Sequence, residues 1–424
     1  MLGPVLASVL GGPVPVEMRF WDGSRLGPGG SDGSDARIEF RSPDALRRIV
    51  WAPGELGFAR AFVAGEIAVS GSLPDVLRAM QMGDPHSIGV GLGDVPDLVR
   101  AARRIGAVGR PPAPPPEELV PRGRRHSIRR DRTTVRHHYD VGNDFYELVL
   151  GPSMTYSCAR FAEPQMSLVE AQASKHELIC RKLGLDEIER AGSGSRPRLL
   201  DVGCGWGAMA IHAASHHDVE VVGVTISPEQ ARRARERVAA AGLTERVTIR
   251  LQDYREVDDG PFDAVSSIGM AEHVGYRNMA KYFEVLHRML RPGRRMLNHA
   301  IASIGGSRIS RSSFVGRYVF PDGELLDIAD TVRSMEDAGF EVRDVENLRE
   351  HYALTLRAWV DNLERRWDDA VALVGVRRAR VWRLYMSGSI NGFDDGGLQL
   401  QQTLGVKNHP DGRSDMPRTR ASWT

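Results

Sequence analysis

The chain has 424 residues, of which 42% are hydrophobic, and its formal net charge is only +1. That length exceeds what one compact core usually holds, so two domains are expected, and the near-neutral charge excludes a general attraction to nucleic acid. The three cysteines, Cys158, Cys180 and Cys204, are widely spaced and odd in number. This pattern fits neither a disulfide framework nor a metal site, and it indicates a reducing cytoplasm.

The first 17 residues are apolar but contain proline and glycine throughout, with no lysine or arginine ahead of the apolar stretch. A secretory signal is therefore not expected. No later stretch is apolar over the roughly 20 residues that a membrane-spanning helix needs. We expect a cytoplasmic protein whose contact with the inner face of the membrane, if it has one, is peripheral.

Residues 1–108 are predicted to form a small, lipid-binding-like α+β domain without a catalytic constellation. A strand, an Asp-Gly turn and a second strand are predicted over 16–27, a third strand over 36–40, and helices over 42–51, 58–65, 73–80 and 95–105. Residues 109–125 are rich in proline and then arginine, which predicts an extended linker. Seven arginines against one acid between 122 and 136 predict either a solvated segment or contact with anionic lipid headgroups.

From residue 197 onward, apolar strand patterns alternate with helical patterns, which predicts a mostly parallel sheet with helices on both faces. Such sheets bind ligands beyond the carboxyl ends of their strands. The predicted strands cover residues 196–203, 219–227, 247–253, 262–269, 294–303 and 341–348.

Polar and glycine residues follow the first strands of this sheet. The segment 201–207, DVGCGWG, lets backbone approach a ligand closely, although a GxGxG pattern also occurs in dinucleotide-binding proteins. Thr225 and Gln230 are neutral where dinucleotide enzymes usually have an acid for the ribose. Gln252, Asp253 and Tyr254 follow the third strand and have the chemistry to hold an adenine. These residues are either ordinary loop residues or a cofactor site, and their recurrence at successive strand ends favours the site.

A long series of motifs resembles the bacterial cyclopropane-fatty-acid synthases and their relatives, which include the mycolic acid cyclopropane synthases and the actinobacterial fatty-acid methyltransferases. The resemblance covers about residues 126–404 and extends more faintly to the N-terminal unit. It is carried in order by HHYDVGNDFYELVLGPSMTYSCARF, LLDVGCGWG, VVGVTISPEQ, LQDYR, GMAEHVG, YVFPDGELL and GFDDGGLQLQQ.

The resemblance implies a Rossmann-like S-adenosylmethionine (SAM)-dependent methyltransferase domain over 126–424, which adds one carbon at the double bond of an unsaturated phospholipid acyl chain. It also implies a bicarbonate ion that serves as general base. The implied SAM contacts are Tyr139, Tyr156, Ser157, Gly203, Gly205, Thr225, Gln230, Gln252, Asp253, Tyr254 and Ile268.

The same resemblance implies that the bicarbonate is held by Cys158, Glu272, His299, the backbone of Ile301, and Tyr352. Glu272 would accept a hydrogen bond from the ion's own O–H, and His299 and Tyr352 would donate. Each residue also has an ordinary interpretation: a core cysteine, a loop acid, a satisfied core histidine. No metal-ligand spacing accompanies them, so no metal is expected.

Three departures from the family concern the product: Ala271 where the cyclopropane synthases usually have Phe, Asn298-His299-Ala300 in place of Leu-His-Thr, and Gln401 in place of an aromatic. They favour the branch that makes 10-methylene, tuberculostearic-type chains, with cyclopropane as the alternative. A non-catalytic lipid-binding protein and methylation of a small soluble molecule are the other candidates. A homodimer and a separate reductase acting on the product are the expected partners.

Overall fold

The computed structural model describes residues 14–28, 36–82, 109–119, 142–190, 196–310, 312–321 and 323–423. The arginine-rich run at 122–136, the helix predicted over 95–105 and Tyr139 lie outside these residues. The chain divides into two compact units. The first is drawn from residues 1–120, 310–321 and 367–391, and the second from 121–309, 322–366 and 392–424.

Within the described residues the strands are β1 (Glu17–Phe20), β2 (Arg25–Leu26), β3 (Arg37–Phe40), β4 (Ile67–Ser70), β5 (Arg198–Val202), β6 (Glu220–Thr225), β7 (Val247–Leu251), β8 (Phe262–Ile268), β9 (Leu290–Ala302), β10 (Ser307–Arg308), β11 (Glu324–Leu325), β12 (Glu341–Asn347) and β13 (Gln399–Lys407).

The α-helices of the same residues are α1 (Pro43–Trp51), α2 (Glu55–Ala64), α3 (Leu73–Met82), α4 (Asn143–Leu150), α5 (Leu168–Leu183), α6 (Leu185–Arg190), α7 (Ala208–His216), α8 (Pro228–Ala240), α9 (Ala271–Val274), α10 (Met279–Met289), α11 (Phe314–Tyr318), α12 (Ile328–Asp337), α13 (Arg349–Arg365), α14 (Trp367–Val374) and α15 (Val376–Asp394). Single 3₁₀ turns cover Tyr254–Glu256, Tyr276–Asn278 and Arg420–Ser422.

The first unit contains a four-stranded sheet in the order β2-β1-β3-β4. The predicted strand-turn-strand is confirmed: β1 and β2 pair antiparallel, and Gly23 has the positive φ of +80° that the tight turn between them requires. The strand β4 pairs antiparallel with β3 and was not predicted. Its four residues, Ile67–Ser70, lie directly after a helix and are too few to show an alternating pattern.

Residues 109–119 of the segment predicted as an extended linker over 109–125 belong to the first unit and bind to it through side chains. Arg48 Nη1 donates to the carbonyl of Ala113 at 2.6 Å. The Arg60 guanidinium binds both carboxylate oxygens of Glu118 at 2.7 Å each. Two later segments, residues 310–321 and 367–391, also belong to this unit. Such long-range contacts leave no local pattern in the sequence, so the first unit extends beyond its predicted boundary at residue 108.

The second unit contains a seven-stranded sheet in the order β12-β13-β9-β8-β5-β6-β7. The strands β5 to β9 pair parallel with their neighbours, as predicted, and the strands β13 and β12 add antiparallel at one edge. Successive residues of a strand point to opposite faces of the sheet: in β5, Leu199 lies in one apolar core cluster and Leu200 in the other. Helices therefore cover both faces, and the predicted fold class is confirmed.

The helix α5 is important for the site because it buries polar as well as apolar side chains. Ser167 and Glu170 form a reciprocal capping box that begins the helix, and Gly184 ends it with a positive φ of +74°. Between these two ends the helix buries the apolar Leu178 and Ile179 and also four polar residues, Gln172, Lys175, His176 and Lys182. In the part of the chain that is described, no helix combines the length and apolarity needed to cross a membrane.

Candidate active site

The glycine loop lies at the carboxyl end of β5, where the sequence predicted a ligand. Gly203, Gly205 and Gly207 have φ values of +77°, +55° and +80°. A Cβ built on Gly205 meets no atom within 4 Å, so the backbone there borders open space. The loop is fixed to the neighbouring strand because the Gly203 and Cys204 amides both donate to the carbonyl of Val224, at 2.9 and 3.0 Å.

One cavity extends from this loop across the ends of β6, β7 and β8 and reaches the segment 154–157. Ten of the eleven predicted SAM contacts line it, and the eleventh, Tyr139, lies outside the described residues. The ten are Tyr156, Ser157, Gly203, Gly205, Thr225, Gln230, Gln252, Asp253, Tyr254 and Ile268.

Several of these residues hold one another in position. The Thr225 hydroxyl donates to Gln230 Oε1 at 2.9 Å and accepts from the Ser227 amide at 3.2 Å, which fixes the end of β6 and the first turn of α8. The Asp253 carboxylate accepts three hydrogen bonds from Arg255, at 2.6 to 3.0 Å. The strand ends thus present side chains that are already ordered by their neighbours.

The segment 154–158 forms a second side of the cavity. Met154 has a φ of +48°, an uncommon conformation for a residue other than glycine, and it turns the chain into the cavity wall. The carbonyl of Ser157 accepts from Gln172 Nε2 at 2.9 Å, and its hydroxyl accepts from Lys175 Nζ at 2.9 Å. Two side chains of α5 therefore hold Ser157 from both its backbone and its side chain.

Lys175, His176 and Asp201 are among the titratable residues that line the cavity without having been predicted as site residues, and all three are buried. Burial lowers the pKa of Lys175 to about 7, an effect that Cys158 and Asp201 oppose. Burial raises the pKa of Asp201 to about 6, which the hydrogen bond from Ser266 and the charge of Lys175 partly offset. Asp201 belongs to the DVGCGWG motif, which pointed to it. No sequence pattern distinguishes Lys175 from any other lysine of an amphipathic helix.

Beside this cavity, Glu272 occupies the first turn of the short helix α9. Its Oε1 accepts from the backbone amide of Ile301 at 2.8 Å. Its Oε2 is buried and has no hydrogen-bond partner among the described residues. Burial raises the pKa of Glu272 to about 7, and the amide of Ile301 lowers it only in part. The expected anion contacts Glu272 and Ile301 are thus brought together, although the Ile301 amide here donates to Glu272.

His299 lies in the middle of β9, opposite Ile268 of β8 and Gln402 of β13. Its Nδ1 is 3.2 Å from Gln402 Nε2, which donates to it. Burial holds the pKa of His299 well below its ordinary value, with smaller effects from the charges of Lys175 and Lys182, so the imidazole is neutral. A neutral ring that accepts at Nδ1 carries its proton on Nε2. That Nε2–H is buried and lacks a partner within the described residues.

Cys158 and Tyr352 are both hydrogen-bonded to the carbonyl of Leu348, the residue before α13. The Cys158 thiol donates to the carbonyls of Ala159 and Leu348, at 3.1 and 3.7 Å, and burial raises its pKa, so it is a neutral thiol. The Leu348 amide donates to the carbonyl of Leu400, the β13 residue opposite Ile301. Tyr352 is buried one turn later, with its ring 4.6 Å from that of Phe393. Hydrogen bonds therefore link Cys158, Glu272 and Tyr352 to the β9–β13 pair, which contains His299 and Ile301.

The strand β13, which was not predicted, changes how the family departures are interpreted. Gln402 lies opposite His299, whereas Gln401 lies opposite Ala300. Successive residues of a strand point to opposite faces. Gln401 and Ala300 are therefore on the sheet face away from His299, and Ala300 packs in the same apolar cluster as Ala271. Of the three departures, Gln401 and Ala300 thus lie on the sheet face opposite to the His299 side chain.

The cavity has the chemistry that SAM requires. Asp201 Oδ2 is buried without a partner among the described residues, which suits an ammonium group. The open space at Gly205 admits the ligand close to the backbone, and Tyr254 offers an aromatic face for a base. SAM would thus be held by the glycine loop, the segment 154–157 and the ends of β6 and β7.

Comparisons with known proteins agree with this geometry. The family model described as "Mycolic acid cyclopropane synthetase" matches residues 126–403. A probable fatty acid methyltransferase of Mycobacterium tuberculosis, Rv3720, is 42% identical over 96% of this chain and 94% of its own length. The tuberculostearic acid methyltransferase UfaA1 of the same species is 33% identical over 94% of this chain and 89% of its own.

Among solved structures, the mycolic acid cyclopropane synthase CmaA1 complexed with SAH and CTAB superimposes with a TM-score of 0.59 and 33% sequence identity. That match covers 65% of this chain and 98% of CmaA1. The glycine loop, the residues at the strand ends and the family match over most of the chain lead to one conclusion. The chain belongs to the mycolic acid cyclopropane synthetase family of SAM-dependent methyltransferases, which includes fatty acid methyltransferases and cyclopropane synthases.

Proposed function

We propose that this enzyme adds a one-carbon unit from SAM at the double bond of an oleoyl-type acyl chain of a phospholipid and gives a 10-methylene product. The observation that carries the proposal is the pair of buried, unpartnered polar atoms beside the cavity, Glu272 Oε2 and His299 Nε2. Buried polar atoms of native proteins are usually paired, so such atoms are positions where a ligand, a reacting group or ordered water can bind.

The chemistry of alkene methylation explains why such a pocket is needed. When bound, SAM supplies an electrophilic methyl group, and the alkene that accepts it becomes a carbocation. Water would capture that cation, so the surrounding residues must exclude water. Tyr352 and Phe393 are buried, with ring centroids 4.6 Å apart, and aromatic faces stabilise neighbouring positive charge. A proton must then leave, and it needs a base within reach of the new carbon.

We propose bicarbonate as that base, held by Glu272 and His299. The neutral His299 offers an N–H donor, and Glu272 offers a free oxygen that accepts from the ion's own O–H. The proximity of Glu272 to an anion is tolerable because burial already raises its pKa to about 7. Cys158 and Tyr352 complete the proposed set of contacts. When bound, the ion supplies a proton acceptor smaller than any side-chain carboxylate.

The methylene product is favoured over cyclopropane by two observations. A relative named for tuberculostearic acid is similar over 94% of this chain. Ala271, which stands where cyclopropane synthases usually have Phe, directly precedes Glu272 and is a smaller side chain. A looser pocket gives the cation time for a hydride shift before the proton is lost. The two products share every proposed catalytic group, and about 1.4 kcal/mol in barrier height changes their ratio tenfold, so cyclopropane stays the alternative.

Phospholipid as the acceptor places the enzyme peripherally on a membrane. Val50 and Trp51 at the end of α1 are 53% and 45% exposed, and tryptophan favours the membrane interface. The arginine-rich run at 122–136 offers charge for anionic headgroups. A homodimer and a separate reductase that converts the methylene to a methyl branch remain part of the proposal.

Expression in a bacterial host that lacks its own synthase tests this function. We expect a fatty acid methyl ester one CH₂ heavier than oleate, whose proton NMR spectrum contains the terminal methylene resonances of an alkene. High-field cyclopropane resonances would replace the methylene proposal with the alternative. No heavier ester, from a host that makes oleoyl phospholipid and soluble enzyme, would contradict the acyl-chain proposal as a whole.

A further inference from the structure

Lys175 has no role in the function proposed above, yet its position calls for one. It lies in the middle of α5, is fully buried, lines the cavity, and donates to Ser157 Oγ at 2.9 Å. Among the described residues, no carboxylate oxygen lies within 4.0 Å of its ammonium. A buried ammonium without an anionic partner is strongly unfavourable, so it either loses its proton or awaits an anion.

A second buried lysine of the same helix, Lys182, differs from Lys175 because it has carboxylate partners. Lys182 is equally buried, but its ammonium pairs with Asp344 at 3.0 Å and with Glu346. The fold thus neutralises one buried lysine with two carboxylates and leaves the other, on the cavity wall, with a single hydroxyl acceptor. Only Lys175 borders the space that a ligand enters.

Asp201 provides the complementary charge on the same cavity wall. Its Oδ1 accepts from Ser266 Oγ at 2.9 Å, and its Oδ2 is buried without a partner among the described residues. Lys175 and Asp201 carry opposite charges but lie too far apart to form an ion pair. A ligand that presents a carboxylate to one and an ammonium to the other would satisfy both.

We propose that Lys175 is the counter-charge for a trigonal carboxylate-type anion bound in this cavity. This inference rests on the SAM-dependent function. Two ligands of the proposed reaction carry such a group. One is SAM, whose amino-acid end has a carboxylate for Lys175 and an ammonium for Asp201. The other is bicarbonate, whose proposed contacts Cys158 and His299 are near enough to Lys175 to interact with it electrostatically.

Calorimetry with S-adenosylhomocysteine (SAH) and with 5′-methylthioadenosine, which lacks the amino-acid end, separates these sources. If Lys175 binds the SAM carboxylate, Lys175→Met weakens SAH about 10- to 100-fold, as expected for a charge-assisted hydrogen bond, and leaves 5′-methylthioadenosine unchanged. If it binds bicarbonate, SAH affinity in bicarbonate-free buffer is unchanged, and the bicarbonate concentration for half-maximal turnover rises about tenfold or more.

Lys182→Met is the matched control, because it removes a buried lysine from the same helix without touching the cavity. Asp344 keeps an ion pair with Arg420 at 2.9 Å in that variant. We expect Lys182→Met to bind SAH as the wild type does. Equal SAH affinity and equal bicarbonate dependence in Lys175→Met and Lys182→Met would overturn the proposal.

Proton uptake by the wild type gives a readout that does not depend on a variant folding. The groups around Lys175 are Cys158, Asp201, His176 and His299; the thiol and both imidazoles are neutral, and Asp201 has a pKa of about 6. At pH 8, Lys175, with its pKa of about 7, is mostly deprotonated in the free protein. An anion bound against it should therefore draw in about one proton.

Titrations in buffers of different ionisation enthalpy measure that uptake for SAH and for bicarbonate separately. Uptake of about one proton by the wild type with one of the two ligands supports the proposal and names the source. No uptake with either ligand, while SAH binds normally, would overturn it. Failure of the wild type to bind SAH at all would instead contradict the methyltransferase function on which the inference rests.

Discussion

The SAM cavity and the proposed base pocket at Glu272 and His299 are built in different ways. Cavity residues such as Thr225 and Asp253 have their polar atoms paired with near neighbours in the sequence. The proposed pocket joins distant segments, with Gln402 and His299 lying 103 residues apart. Among the described residues Glu272 Oε2 and His299 Nε2 have no partner, as is also true of Asp201 Oδ2 on the cavity wall. Local pairing stabilises a binding surface, whereas unpaired polar atoms are available to a ligand, as the proposed base requires.

The largest effect that would sharpen this comparison is expected from Glu272→Gln. The amide keeps the size of the side chain and an oxygen for the Ile301 amide, but it removes the carboxylate that would hold the base. We expect turnover to fall about 100- to 10,000-fold, the usual contribution of a positioned acid or base. SAH affinity, measured by calorimetry, should change less than about threefold, because Glu272 is not among the cavity-lining residues.

A result in which Glu272→Gln lost SAH binding as severely as turnover would break the distinction between cavity and pocket. His299→Ala serves as a second probe from the other side of the pocket, and it should show the same division between turnover and SAH affinity. Near-normal turnover in both variants would mean that the proton is removed elsewhere.

The converse variant is Gly205→Ala, which alters the cavity and spares the pocket. Its Cβ would enter the open space beside the glycine loop, at a φ of +55°. We expect SAH to bind about 10- to 100-fold more weakly and the protein to lose about 1–2 kcal/mol of stability from the left-handed backbone. Gly242→Ala is the control, since its φ is +70° and it too has no atom within 4 Å, but it lies on an exposed turn after α8.

Gly242→Ala should lose similar stability in thermal unfolding and keep its SAH affinity. Equal losses of SAH affinity in the two glycine variants would show that backbone strain, and not the ligand contact, is responsible.

A smaller effect is expected from Gln402→Leu, which removes the donor to His299 Nδ1. Gln402 is a positioning residue: without it the imidazole has no fixed tautomer, and we expect turnover to fall about tenfold, the effect of one lost hydrogen bond. Nitrogen NMR of the histidine should show a change of tautomer. Gln401→Leu, one residue earlier and on the opposite sheet face, is the control and should stay within about threefold of the wild type. A larger loss from Gln401→Leu would contradict the assigned register of β13.

The comparison also explains what sequence reasoning could and could not find. The cavity residues follow their strands directly, so Gly203, Thr225 and Asp253 could be predicted from local pattern and position. Glu272 and His299 depended on resemblance to a family, because a lone acid or histidine has no spacing that predicts a partner. Gln402 could not be placed because β13, an antiparallel strand at the end of the chain, was not predicted. Lys175 was missed because helical periodicity does not reveal which polar side chains become buried.

The last of these predictions concerns stability instead of turnover, namely how the free energy of unfolding depends on pH. Glu272 has a pKa of about 7 in the folded protein, above its ordinary value of 4.5. The folded state therefore holds a proton that the unfolded state releases between these values, so the stability contributed by this group is lost as pH rises from about 4.5 to 7. Glu272→Gln should gain about 2–3 kcal/mol in unfolding free energy relative to the wild type between pH 5 and pH 8. Parallel pH profiles for the two proteins in urea denaturation would contradict a buried, raised Glu272.

The most direct test of the central claim follows a labelled methyl group. Purified enzyme, SAM carrying a ¹³C methyl and vesicles of dioleoylphosphatidylglycerol are incubated with bicarbonate, and the lipid is analysed by carbon NMR. We predict that the label enters the acyl chain at the former double bond with the wild type, and that Glu272→Gln, which still binds SAH, transfers about 100-fold less. Label confined to the headgroup or to a soluble molecule, or equal transfer by the two proteins, would contradict the account.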